Sequence, residues 1–299
     1  MLSRRWLRLL PLHLMLWPAL ALLLVYSYGP IVGILIAFEK FMPSKGIFGS
    51  PFVGFENFKY VWELPDTKQV LTNTVVIALL KIVLNLSMPI TLALLLNEVR
   101  LKFFKRSIQT AIYFPYFLSW VLLGGILIDI LSPSQGIVNE MIRFFGFKPV
   151  FFLGDPHWFR FTVVMTDLWK EVGFNTIVFL AAVTSVNPSL YEAAVIDGAS
   201  RWKQTLHVTL PSMLPVIVLI ATLSLGNVLN AGFDQIFNLY SPQVYSTGDI
   251  LDTYVFRIGM VDTQYGVATA VGLFKSVVSC IFISISYVLA YRLANYRIF

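Results

Sequence analysis

Six ionisable side chains stand inside long apolar runs: Lys81, Asp129, Asp167, Lys170, Glu171 and Lys275. A charge in such surroundings is costly, and it marks an ion pair, an ion relay or a ligand contact by default. Lys81 lies in IALLKIVLNL with Asn85 one helical turn later, so the two share a face. Asp167 precedes Lys170 by three residues and Glu171 by four, which gathers the three charges on one side of a helix; Trp169 lies in the same run and joins the candidates. Two chemistries fit this pattern: a network that ties helices together, or contacts to a polar solute in transit. Lys275, in VGLFKSVVS, and the amides Asn227 and Asn230, near the end of another apolar run, join the candidates for such a path. Asp129, at the edge of its run, is placed to reach the headgroup region.

The sequence offers no catalytic constellation beside these charges. His13, His157 and His207 are far apart, and the single cysteine, Cys280, sits in an apolar run. No metalloprotease helix, nucleophile elbow, Walker phosphate loop or dinucleotide fingerprint is present. The expectation is a chain without a catalytic site, metal or cofactor of its own.

The elements that position these residues follow from composition. Of 299 residues, 57% are hydrophobic and only 13% charged, with a mean hydropathy of +0.75. A soluble domain of that length carries far more charge, so the fold class is all-α and polytopic in a membrane. A spanning helix needs about 20 mostly apolar residues. Six runs qualify: 14–38, 70–97, 107–131, 158–184, 210–230 and 265–292. The first follows MLSRRWLR and reads as an uncleaved anchor, because its apolar run is too long for a signal peptide and no small-residue cleavage site follows. The net charge of +6 falls in short basic blocks between the runs, which indicates topology and not a nucleic-acid surface. Arg4, Arg5 and Arg8, then Arg100, Lys102, Lys105 and Arg106, then Arg201 and Lys203, and finally Arg292 and Arg297 share one side if both termini are cytoplasmic. The chain then divides into an anchor with an outer interfacial segment, 1–69, a core at 70–292 and a cytoplasmic tail at 293–299.

That topology puts YEAAVIDGASRWKQTLHVTLP, from Tyr191 to Pro211, in the cytoplasm. Asn187 and Pro188 suit an N-cap and first helical residue, and Gly198 suits a stop. Ser200 can cap a second short helix, and Leu210–Pro211 marks re-entry into the bilayer. A helix lying on lipid shows bulky apolar residues on one side, whereas Ala193 and Ala194 leave a small face that favours a protein groove.

Glu192-Ala193-Ala194, Asp197-Gly198-Ala199 and Leu210-Pro211 resemble the EAA loop of ATP-binding-cassette importer permeases of the sugar type. FVGFENF with Asn73-Thr74, and DLWKEVGFNTIVFL, are similar to further blocks of that family, so the resemblance covers nearly the whole chain. It implies a type I importer transmembrane domain of six helices, with the loop at 187–209 as a coupling helix in the cleft of a separate ATPase. Tyr191, Glu192, Ala193, Ala194, Asp197, Gly198 and Ala199 would form that contact, with Glu192 the polar anchor and Gly198 the turn. It further implies a bacterial inner membrane location, a second permease of the same type, two ATPase subunits that hold ATP and Mg, and an extracytoplasmic solute-binding protein. The implied cargo is an oligosaccharide, and the style of GDPHWFR and AGFDQIFNLYSP is similar to the polysaccharide branch that takes alginate- and pectin-derived oligosaccharides. For such a cargo Trp169, Phe174, Tyr113, Phe114, Tyr116 and Trp120 are the aromatics able to stack on sugar rings, and Lys81, Lys170 or Lys275 would suit uronates.

An ion-coupled secondary transporter would use the fourth-run charge cluster as a relay. Such carriers commonly show internal repeats and broken helices, and the sequence displays neither. An intramembrane enzyme would need a paired nucleophile and base or spaced metal ligands, which are also missing.

Overall fold

The computed structural model describes residues 2–294; Met1 and residues 295–299, most of the expected tail, lie outside the described residues. The side chains of Arg4, Arg5 and Arg8 also lie outside the description. Among the described residues the chain is helical without named strands. In order the helices are α1 (Leu2–Leu23), α2 (Glu56–Glu63), α3 (Thr67–Glu98), α4 (Lys102–Tyr113), α5 (Trp120–Ile130), α6 (Ile137–Phe144) and α7 (Pro156–Thr184). They continue with α8 (Pro188–Ile196), α9 (Arg201–Gln204), α10 (Leu210–Gly226), α11 (Phe233–Leu239), α12 (Tyr245–Gly248), α13 (Leu251–Phe256) and α14 (Tyr265–Ala294).

Among the described residues four stretches are long and apolar enough to cross a membrane: Pro11–Phe38, Thr67–Glu98, Arg201–Gly226 and Tyr265–Val288. Two bent pairs, Lys102–Phe117 with Trp120–Ile130 and Pro156–Thr184 with Pro188–Ile196, raise the count to six if each is one span. The third predicted run is thus no straight rod: its halves meet at 105°. Pro115, buried in the 3-10 turn Phe114–Phe117, lacks an N–H and favours the break, and Ser119 caps the second half by accepting from Leu122 N–H. The fifth run starts earlier than the sequence suggested. Helix runs unbroken from Arg201, because a π-turn at Thr205–Thr209 widens the ladder ahead of Pro211 and spares the ring its clash.

The described chain divides into two compact units. The first comprises Met1–Leu64 and Val255–Phe274. Its FVGFENF segment closes an aromatic cluster in which Phe38 packs on Phe52, Phe55 and Phe58. Asn57 donates to the carbonyls of Ala37 and Glu39, while Trp62 meets Phe274 edge-on at 5.5 Å.

The second unit, Pro65–Tyr254 with Lys275–Phe299, carries the site. Its frame is the pairing of α3 with α7. On α3 the buried residues Val70, Asn73, Thr74, Ile77, Ala78 and Lys81 recur every three or four positions, and three of the six are polar. With hydrocarbon outside, the polar residues turn inward, where partners exist. Farther along, Ala93, Phe179, Ala182, Val183 and Met213 form an apolar core shared by α3, α7 and α10. Asp155 caps α7 by accepting from the His157 N–H at 2.9 Å, and that bond holds its carboxyl below the ordinary value.

Candidate functional site

Lys81 of α3 and Asp167 and Glu171 of α7 converge on the place where α10 ends. Lys81 Nζ lies 3.0 Å from Asp167 Oδ1 and donates to the Ala231 carbonyl at 2.7 Å and to Gln235 Oε1. Asp167 Oδ2 accepts from Asn85 Nδ2 at 2.8 Å. Gln235, fully buried, donates in turn to the Val163 carbonyl and to Thr166 Oγ1. The chain between α10 and α11 is non-helical and passes through Gly232 at φ +97°, so its carbonyls need donors from outside the helix. Lys81 supplies one of them.

Beside this network lies a polar cavity of about 280 Å3. Asn85, Asp167, Glu171, Asn175, Asn227 and Asn230 contribute its polar lining, with Ser224 and Lys81. Such a chamber, walled by amides, a hydroxyl and carboxylates, suits a ligand rich in hydroxyl groups.

The predicted path residues therefore fall into separate places. Lys81, Asn85, Asn227 and Asn230 meet at the cavity. Lys170 turns elsewhere: its Nζ donates to the Tyr116 carbonyl at 2.7 Å and lies 5.0 and 5.6 Å from the Tyr116 and Trp120 rings. Phe174 stacks on Tyr116 with ring centroids 4.0 Å apart. Trp169 is half-exposed, and Lys275 pairs with Asp252. Sequence reasoning passed over Gln235, Asn175 and Ser224 as site residues. The one available signal was an amide between Phe233 and Ile236, in a stretch that also reads as an ordinary connecting loop.

A second feature is the hairpin of α8 and α9. Asn187 caps α8 by accepting from Ser189 N–H, and Ser200 caps α9. Gly198 adopts φ +72°, and the Ala199 N–H returns to the Ala194 carbonyl at 2.8 Å, the left-handed helix stop that glycine permits. Tyr191 points inward, its hydroxyl 3.0 Å from Thr209 Oγ1. Ala193, Ala194, Asp197 and Ala199 line an open groove of about 510 Å3 together with Lys203 and His207. Glu192 is exposed, as are Val195, Ile196 and Trp202, so the hairpin presents both charge and bare apolar surface.

Residues 89–295 match the family described as binding-protein-dependent transport system inner membrane component. The chain belongs to this family. Among similar proteins, the polygalacturonan/rhamnogalacturonan transport system permease protein YteP of Bacillus subtilis (strain 168) is 40% identical over 95% of this chain and 87% of its own length. Protein LplB of the same organism is 42% identical over 91% of this chain and 86% of its own. Among solved structures, a chain of a bacterial ABC transporter involved in the import of the acidic polysaccharide alginate matches with a TM-score of 0.91 and 36% identity. That match covers 98% of this chain and 99% of the other. A chain of a bacterial alginate ABC transporter, in complex with an alginate pentasaccharide-bound periplasmic protein, gives 0.89 and 36% over 97% of both. This inner membrane component is thus a multi-pass, all-α permease of the ABC importer class, as its sequence motifs suggested.

Proposed function

We propose that this permease is one of two membrane subunits of an ATP-binding-cassette importer that takes an oligosaccharide containing uronate units. The observation that carries the reading is the agreement over 98% of the chain with a transporter of an acidic polysaccharide, at 36% identity. The names of the similar Bacillus permease and of the alginate transporter support the same cargo class. The polar cavity is the subsite proposed for this chain, with Asn85, Asn175, Asn227, Asn230 and Ser224 offering hydrogen bonds to sugar hydroxyls.

The α8–α9 hairpin is the proposed seat of a separate ATPase subunit. Ala193 and Ala194 form the close-contact face, Glu192 the polar anchor and Gly198 the turn. When two ATPase subunits close on ATP and Mg, the hairpin moves with them, and the spans change from inward- to outward-facing. A solute-binding protein delivers the sugar from outside, a second permease completes the path, and both termini of this chain lie in the cytoplasm. This chain hydrolyses nothing itself.

The test is ATPase activity of the complete complex in lipid, with the binding protein loaded with neutral or with uronate oligosaccharides. Stimulation by uronates supports the reading. Stimulation by neutral sugars alone removes the uronate assignment, and activity indifferent to every saccharide removes the cargo class.

A further inference from the structure

We infer that Lys81 is a positioning residue for the break after α10, and not a cation that meets a substrate carboxylate; this rests on the saccharide-permease reading. An ammonium has three N–H donors and no acceptor. Those of Lys81 face Asp167 Oδ1, the Ala231 carbonyl and Gln235 Oε1, and the residue is only 7% exposed. The packing is close enough that a Cβ at Gly232 would stand 2.9 Å from Nζ. Asp167 is committed as well, with one oxygen on Lys81 and the other on Asn85.

The groups still open toward the cavity are of another kind. Asn175, Asn227, Asn230 and Ser224 line its wall with amides and a hydroxyl. The remaining charge there is the Glu171 carboxylate, 3.8 Å from Lys170. A sugar hydroxyl both donates and accepts, so it satisfies amides and carboxylate alike. A uronate carboxylate placed there would meet Glu171 and no cation with an open donor among the lining residues. The cavity therefore reads hydroxyls, and Lys81 acts through the backbone it holds: it fixes Ala231 and Gly232, and so the placement of Asn227 and Asn230.

The test uses the complete complex in lipid with two probes, a galacturonate trisaccharide and its methyl ester. In Lys81→Met, stimulated ATPase should fall roughly tenfold with both probes, since the loss leaves Asp167 buried and unpaired. The ratio of the two responses should stay within about twofold of wild type, and Lys81→Met with Asp167→Asn should recover part of the loss. A loss confined to the charged probe, or no loss in Lys81→Met, would overturn the inference. A third measurement covers variants that fail to assemble: acetic anhydride labelling of the wild-type complex, with and without ATP, read by mass spectrometry. An unlabelled Lys81 supports the positioning role, and a labelled one overturns it. If neither probe stimulates the wild type, the saccharide reading fails while the labelling still decides the role of Lys81.

Discussion

Lys170 Nζ donates a 2.7 Å hydrogen bond to the main-chain carbonyl of Tyr116, at the bend that separates α4 from α5. The broken backbone there lacks helical partners, and the lysine reaches it from the middle of α7 while lying near two aromatic faces. Lys170→Met keeps the apolar stem and removes the donor. Leaving that carbonyl unpaired should cost about 1–3 kcal/mol. A lowered thermal midpoint of the purified permease in detergent, with a smaller drop for Lys170→Arg, is the expected result.

Gly173 sits on the same helix, two turns from Asp167, and faces the backbone of α4. A Cβ there would fall inside the contact distance of the Ile112 carbonyl, which is backbone and has little freedom to move. Gly173→Ala should destabilise by about 1–3 kcal/mol through overpacking. Gly125 on α5 has open space around it, so Gly125→Ala should be neutral or should stabilise by up to about 1 kcal/mol. Thermal unfolding of the two variants side by side checks the contrast.

The chain around α12 is held by amides from below. Asn73 donates to the carbonyls of Tyr245, Ser246 and Asp249, and its own carbonyl accepts from Arg160 Nη2 at 2.7 Å. Asn73→Ala should cost about 1–3 kcal/mol, because it removes the amide shared by these carbonyls and takes the acceptor from Arg160. Limited proteolysis should then cut between Ser241 and Asp249 faster than in wild type, and Arg160→Met should show the same cut to a lesser extent.

Much of this arrangement was legible in the residues. The apolar runs and the caps at Asn187, Ser200 and Gly198 each follow from local patterns; the helices realise the caps, and they give four of the spans outright and six if each bent pair is one. Lys81 and Asp167 stood out as charges in apolar runs, yet their pairing joins residues 86 positions apart, which no local period encodes. Gln235 was harder still, because a buried amide in a short helix has the same local pattern as a solvated one. The 105° bend in the third run was no more local: the α7 groups that meet it, Lys170 and Phe174, lie more than 50 residues along the chain from Tyr116.

The coupling reading stands or falls at Ala194. Its small side chain lines the groove of the α8–α9 hairpin, where an indole would fill the space proposed for the ATPase subunit. The decisive measurement is ATP-driven saccharide uptake into proteoliposomes holding the complete complex with Ala194→Trp. The account predicts that uptake and saccharide-stimulated ATPase are lost, while the thermal midpoint of the permease and its pairing with the second permease are unchanged. Uptake at the wild-type rate in that variant would contradict it.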